Sequence, residues 1–236
     1  MRADGRAPDA LRPVSIERGF IKSSAGSVLI GFGNTRVICT ANFVERVPSF
    51  LKDTGRGWLT AEYSMLPGST PERTERRKST EGRAQEISRL IGRSLRAVVD
   101  LKAVGPCQIN VDCDVIQADG GTRTASVTGG YIAVYEALRA AVAKGNLARV
   151  PVSGVCAAIS VGVVKGEVLL DLNYEEDFKA SVDMNVVMDG AGQFIEVQGN
   201  AEGASFPRAV LEQMLDRAGK GVRELIALQE RALELA

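Results

Sequence analysis

The sequence predicts an α+β fold built from two similar lobes. In each half of the 236-residue chain, strand-like segments come first and helical patterns follow, which is typical of this class. Hydrophobic residues make up 45% of the chain, enough to bury a shared core. Residues 144–146 are the best boundary between the lobes, but they are too short for a flexible linker. We therefore expect one domain, with an N-terminal lobe over about 1–144 and a C-terminal lobe over about 145–236.

The first half predicts a hairpin, a basic helix, another strand and a second helix. Strand-like residues at 28–30 and 37–39 flank turn residues, which indicates a β-hairpin. Apolar residues then recur at helical spacing from about Arg83 to Asp100, with a basic stripe on another face. Alternation over 109–115 predicts a strand that ends at the turn 118–121. A helix with one apolar face, from Val127 to Val142, follows that turn.

The second half repeats this order of elements. Strand-rich runs cover 154–172 and 182–198, and helical patterns cover about 207–218 and 222–235. Pro207 suits the first turn of a helix, where its missing N–H costs nothing. Gly219 and Gly221 are expected to separate the last two helices.

Composition excludes several kinds of chemistry. The 29 basic and 29 acidic residues cancel, so any binding to a polyanion must come from local patches. The absence of histidine removes the commonest general base and transition-metal ligand. Four cysteines lie singly in apolar runs and are expected to be buried free thiols. The charged amino terminus and the lack of an apolar stretch of about 20 residues predict a cytoplasmic protein without membrane contact.

A glycine turn at 120–123 carries the strongest chemical signal. Gly120 and Gly121 let the backbone approach a ligand closely, and the first N–H groups of the following helix point outward. Thr122 and Arg123 add side-chain donors, and an arginine fork can bind two phosphate oxygens. The turn therefore favours an anion. The alternative is a plain left-handed turn and helix cap with an exposed arginine, and neither a P-loop nor a dinucleotide fingerprint is present.

Two charged segments accompany this turn. Arg73, Arg76 and Arg77 belong to a basic segment that could contact a phosphate backbone, or could be a solvated loop with local ion pairs. Asp177 and Asp183 lie in an acidic stretch, the first leaving a turn and the second beginning a strand. Two such carboxylates suit Mg²⁺, and a solvated acidic turn is the alternative.

Taken in order, these segments resemble the ribonuclease PH family, and the likeness covers nearly the whole chain. The most specific match is 112–126, which contains the glycine turn. Further similar blocks lie at 2–6, 11–14, 26–33, 57–67, 91–100, 183–188 and 196–199. The resemblance implies two β-α-β lobes of the ribosomal protein S5 domain 2 type, assembled into a homohexameric ring as a trimer of dimers.

The resemblance also implies an activity and a set of site residues. Members remove nucleotides from the 3′ ends of tRNA precursors and other RNAs by transferring them to inorganic phosphate, which releases nucleoside diphosphates. The phosphate-binding residues would be Arg83, Gly121, Thr122 and Arg123, with Mg²⁺ on Asp177 and Asp183 and RNA on the basic segment. Arg83, Arg123, Asp177 and Asp183 would be catalytic. Phosphate is already an anionic nucleophile, so the missing histidines fit this chemistry.

Three rival hypotheses remain open at the level of sequence. A non-catalytic ring subunit of the exosome type would keep the fold without needing the full set of site residues. Polynucleotide phosphorylase is a longer chain with two such cores, whereas 236 residues hold one. An unrelated phosphate-sensing protein would bind phosphate without changing any RNA.

Overall fold

Two β-sheets and the helices packed between and around them make up the protein. The structure is a computed structural model that describes residues 2–76, 82–203 and 205–235. Arg77, one of the predicted RNA-binding residues, lies outside the described residues. The two-lobed α+β fold predicted from the sequence is confirmed, and one continuous apolar core runs through both lobes.

The first sheet has five strands in the order β1-β2-β3-β5-β4. Their bounds are Val14–Arg18 (β1), Gly26–Phe32 (β2), Thr35–Val44 (β3), Trp58–Met65 (β4) and Gln108–Gln117 (β5), with a 3₁₀ turn at Ser49–Leu51. The predicted hairpin is confirmed as the antiparallel pair β2–β3, and the predicted strand before the glycine turn is β5. β4 and β5 run parallel, so a crossover must connect them.

The basic amphipathic helix supplies that crossover, but it is shorter than predicted. Helix α1 (Arg83–Arg96) buries its apolar face, and it ends four residues before Asp100. The side chain of Asp100 instead accepts hydrogen bonds from the backbone N–H groups of Lys102 and Ala103, which caps the short helix α2 (Leu101–Val104). Apolar periodicity alone predicted that α1 continues to Asp100. Asp100 instead caps a separate helix.

Helix α3 (Thr122–Ala143) is the shared centre of the molecule. It packs against β2 and β3 of the first sheet and against a strand of the second sheet. The sequence predicted that only one apolar face of this helix would be buried. In the structure, residues around most of the helix are buried, and many of them are small. A helix that is buried on nearly all sides belongs to a core between layers.

The second sheet is antiparallel and has the order β7-β6-β8-β9. Its strands are Cys156–Val164 (β6), Glu167–Leu170 (β7), Val182–Asp189 (β8) and Phe194–Ala201 (β9), as the strand-rich runs predicted. A short helix, α4 (Tyr174–Lys179), connects β7 to β8.

The carboxyl-terminal region forms one helix, so the predicted division into two helices is wrong. Helix α5 (Arg208–Leu233) is continuous through Gly219 and Gly221, and Pro207 occupies the position just before it rather than its first turn. A Cβ atom at Gly221 would lie 2.9 Å from Cδ1 of the buried Leu170. Glycine at this position serves close packing of α5 on β7 and does not end the helix.

The cysteines agree with the expectation from composition at three of four positions. All four cysteines are free thiols; Cys107 is partly exposed and the other three are buried. Among the helices in the described part of the chain, none is both long and apolar enough to cross a membrane.

The two glycines of α5 give opposite predictions for alanine substitution. Gly219→Ala should raise the free energy of unfolding by about 1 kcal/mol, because alanine favours a helix and the new Cβ meets only ordinary contacts. Gly221→Ala should lower it by about 1 kcal/mol, because overpacking against Leu170 outweighs the same gain. Urea denaturation of both variants measures the difference, and equal stabilisation would contradict the packing role.

Candidate active site

The glycine turn has the geometry that an anion site requires. Gly120 and Gly121 both have left-handed backbones, with φ of 73° and 67°. A Cβ at Gly120 would lie 2.5 Å from the carbonyl oxygen of Leu172, so both the conformation and the space demand glycine. Helix α3 begins immediately afterwards at Thr122, and its first N–H groups have no acceptor within the helix. Free N–H groups at the start of a helix are donors that can bind an anion.

Backbone and side-chain hydrogen bonds fix the turn in place. The buried Thr35 hydroxyl donates to the carbonyl of Gly120 at 2.6 Å and accepts the N–H of Asp119 at 2.9 Å. The guanidinium of Arg12 donates to the carbonyl of Asp119, and the Asp119 carboxylate accepts the N–H of Tyr174 at 3.1 Å. The turn is therefore bonded to the first sheet, to the amino-terminal segment and to α4.

A cavity of about 480 Å³ opens beside the turn and brings together residues from both lobes. This volume is typical of a ligand site. The predicted phosphate-binding and metal-binding residues all line it: Arg83, Gly121, Thr122, Arg123, Asp177 and Asp183. Arg83 comes from α1, while Asp183 comes from β8 on the second sheet. The cavity is thus formed where the two lobes meet.

Neighbouring side chains orient the donors on the first-lobe wall. The Thr122 hydroxyl lies 2.8 Å from the hydroxyl of the buried Tyr63. Arg123 donates from Nη1 to Gln198 at 2.8 Å and to Glu86 at 3.4 Å. Gln198 in turn donates to the same Glu86 oxygen at 2.8 Å. Arg123 is held by groups from α1 and β9, and its guanidinium borders the cavity.

The opposite wall is acidic. Burial in the cavity and the charge of Asp183 raise the pKa of Asp177, although Arg83 and Arg123 act in the lowering direction. The sequence placed Asp177 at a turn, but it lies on α4, while Asp183 is on β8 as predicted. Two carboxylates that repel each other beside two arginines create a site suited to a cation and an anion together.

The predicted basic segment lies at the rim. Thr70 and Thr74 line the cavity, whereas Arg73 and Arg76 are exposed and are not part of its wall. Within the described residues, this segment therefore contributes threonines to the cavity wall and leaves Arg73 and Arg76 exposed outside it.

Sequence reasoning missed the roles of three amino-terminal arginines. Arg2 binds both carboxylate oxygens of the buried Glu176, at 2.8 and 2.7 Å, and braces α4. Arg12 makes a paired contact with the buried Asp171, and Arg6 donates to the Asp171 carbonyl at 3.1 Å. These partners are more than 150 residues apart in sequence. Only the folded structure shows that this charged terminal segment holds α4 and the residue after β7 in place.

Comparison with known proteins identifies the family. The 3′ exoribonuclease family matches over its domain 1 at residues 10–139 and over its domain 2 at residues 154–221. Ribonuclease PH of Corynebacterium kroppenstedtii is 57% identical over 99% of this chain and 93% of its own length. Ribonuclease PH of Moorella thermoacetica is 56% identical over 99% of this chain and 94% of its own length. The chain belongs to the ribonuclease PH family.

Solved structures share the fold of this ribonuclease PH family member. Rice Rrp46 superposes with a TM-score of 0.78 over 98% of this chain and 100% of its own, at 19% identity. The Archaeoglobus fulgidus exosome with RNA bound to the active site superposes with a TM-score of 0.82 over 96% of this chain and 91% of its own, at 21% identity. The predicted activity is confirmed at the level of the family: the chain is a phosphate-dependent 3′-to-5′ exoribonuclease of the nucleotidyltransferase type.

The Arg12–Asp171 pair should be essential for stability. Asp171→Asn should lower the free energy of unfolding by about 3 kcal/mol, because the buried Arg12 guanidinium would lose its counter-charge. Chemical denaturation measures this change.

A matched control for that variant is Asp9→Asn. Asp9 also joins the amino-terminal segment to the second lobe, through Lys220 at 2.6 Å, but both side chains are largely solvated. Its unfolding midpoint should match the wild type. An Asp171→Asn midpoint equal to that of Asp9→Asn would contradict the proposed bracing role.

Proposed function

We propose that this cavity is the active site at which inorganic phosphate removes nucleotides from the 3′ ends of tRNA precursors and other RNAs. The observation that carries the proposal is the convergence of two arginines, the glycine turn and two aspartates on one cavity between the lobes. The relatives are named for ribonuclease activity, and the fold neighbours include an exosome with RNA at its active site. A tRNA tail is the substrate that follows from the family.

Inorganic phosphate would bind on the first-lobe wall. Arg83 and Arg123 supply cationic donors, and Thr122 and the N–H groups after Gly121 supply neutral ones. One phosphate oxygen attacks the phosphorus of the last phosphodiester, and the bond from that phosphorus to the preceding 3′-oxygen breaks. The leaving 3′-oxygen takes the proton that hydrogenphosphate gives up, so the products are a nucleoside diphosphate and an RNA that is one nucleotide shorter and ends in a 3′-hydroxyl. No side chain has to deprotonate the nucleophile, which suits a protein without histidine.

The two aspartates fit a magnesium ion. Both carboxylates line the cavity, and burial together with the charge of Asp183 raises the pKa of Asp177, which a bound cation would counteract. Within the described residues, no group of three or more metal-binding side chains occurs. Mg²⁺ commonly uses one or two carboxylates together with water and substrate phosphates. Bound there, it would neutralise charge on the scissile phosphate and help to orient it.

Oligomerisation would strengthen RNA binding. We propose a homohexameric ring, a trimer of dimers, acting in the cytoplasm. Strand β9 is an edge strand, and the exposed Phe194 and Val197 on it are suited to burial against another copy. Six copies would gather Arg73 and Arg76 into one entrance, which reconciles RNA binding with zero net charge.

The central test combines phosphate dependence with two substitutions. Wild-type protein with Mg²⁺ should shorten tailed tRNA only when phosphate is added, and should release nucleoside diphosphates. Arg123→Ala and Asp177→Asn should each lower turnover by about a hundredfold or more, because each removes a charge that stabilises the transition state. Gel electrophoresis and product chromatography measure both effects.

Each variant has a matched control on its own helix. Arg139→Ala changes an arginine near the other end of α3, and Glu175→Gln changes an exposed carboxylate on α4 that is paired with Lys179. Both controls should keep wild-type turnover. Nucleoside monophosphates as products, or full activity in Asp177→Asn, would refute the proposed chemistry.

The basic segment should contribute to RNA binding affinity and not to the rate of the chemical step. The double variant Arg73→Ala, Arg76→Ala should weaken RNA binding and reduce the slope of log affinity against log salt by about two, because two phosphate contacts are lost. Fluorescence anisotropy across a salt series measures this slope. Arg149→Ala removes an equally exposed arginine between α3 and β6 and should leave the slope unchanged. An unchanged slope in the double variant would show that Arg73 and Arg76 do not contact the RNA backbone.

A further inference from the structure

Two exposed aromatic rings stand together on α4. Tyr174 is 59% exposed and Phe178 is 78% exposed. Their ring centroids are 6.3 Å apart with an angle of 28° between the planes, so the two rings stack. Packing within the described chain leaves most of both rings in contact with water.

The aromatic pair lies on the cavity side of α4. Tyr174, Asp177 and Phe178 are separated by three and four positions, which puts them on one face of a helix. Tyr174 and Asp177 both line the cavity. The other face carries Glu176, which the buried Arg2 holds in place. Because the helix is anchored on that side, the aromatic face has a fixed orientation, with Tyr174 in the cavity lining and Phe178 next to Asp177, just outside that lining.

This pair differs from two other exposed aromatic side chains, Phe50 and Phe194. Phe50 rests edge-on against Trp58 at 5.5 Å, and Phe194 belongs to the edge strand β9. Tyr174 and Phe178 instead adjoin a site whose opposite wall carries Arg83 and Arg123. Stacking rings beside cationic groups are the two components with which proteins bind single-stranded nucleic acid.

We propose that Tyr174 and Phe178 form a stacking surface for an unpaired base near the 3′ end of the RNA. The inference rests on the proposed function, since it requires an RNA 3′ end in this cavity. The bound base lies against the aromatic face while its phosphate runs toward the arginines. Every base has a π-face, so this surface tolerates any sequence. It does require an unstacked, unpaired nucleotide, and it therefore selects single-stranded tails over duplex ends.

Removing the outer ring tests the proposal. Without phosphate, so that no turnover occurs, Phe178→Ala should bind a single-stranded oligoribonucleotide about tenfold more weakly than wild type. Phe178→Leu should behave like Phe178→Ala, because it keeps an apolar side chain but loses the ring. Phe178→Trp should bind at least as tightly as wild type. With phosphate added, Phe178→Ala should raise KM by a larger factor than it lowers kcat, because the ring mainly binds the tail and only indirectly positions the bond that breaks.

A series of oligonucleotides that each lack one base locates the contact. At the stacked position, removing the base should weaken wild-type binding about tenfold and leave Phe178→Ala unaffected, because the partner ring is already gone. At the other positions, the wild type and the variant should keep their tenfold difference. Phe50→Ala removes an exposed ring away from the cavity and should bind every oligonucleotide like the wild type.

Three results would overturn the proposal. One is unchanged RNA affinity in Phe178→Ala. The second is a loss of affinity that is the same for every oligonucleotide in the series. The third is a change in sedimentation coefficient with unchanged RNA affinity, which would assign the aromatic face to contact between copies of the chain. Failure of the proposed function is a separate result: full phosphate-dependent turnover in Arg123→Ala would overturn the phosphate site, while the binding series stays readable.

Discussion

The buried pair of Arg12 and Asp171 is the interaction on which the site depends. Asp171 has no exposed surface, and its charge would be very costly to bury alone. Arg12 neutralises it through two hydrogen bonds, at 3.0 and 2.6 Å, and directs its remaining donors to the glycine turn. Asp171 follows β7 of the second sheet, whereas the turn follows β5 of the first. This ion pair therefore helps to fix the spacing between the proposed phosphate-binding residues and the two aspartates, together with the contacts of Asp119 with Tyr174 and of Arg123 with Gln198.

The cavity separates charge in a way that the whole chain does not. The first lobe supplies the arginines of its lining and the second lobe the aspartates, although the basic and acidic residues of the protein cancel. Phosphorolysis brings two anions together, the free phosphate and the scissile phosphodiester. The cationic wall suits the first, and a cation held by the acidic wall suits the second. Under the proposed function, this division would allow a protein without histidine to carry out the reaction of its family.

Local patterns predicted the elements that bear the site, and long-range contacts decided the rest. The glycine turn was predictable because its conformation depends on adjacent residues, and the hairpin at Thr35 for the same reason. The predicted end of α1 was wrong because Asp100 caps a new helix. The predicted break in α5 was wrong because Gly221 serves close packing on Leu170. The bracing by Arg12 carries no local signal, since its partner is 159 residues away.

Helix α4 shows how this bracing reaches the chemistry. A helix of six residues is too short to be stable alone, so Asn173 and Glu176 form a capping box and Arg2 binds Glu176. These contacts fix the face that carries Asp177 and Phe178. The proposed metal ligand Asp177 and the proposed stacking ring Phe178 are consecutive residues in the chain. A base that stacks on Phe178 would therefore restrict where its neighbouring phosphate can lie relative to Asp177, which couples recognition of an unpaired tail to positioning of the bond that breaks.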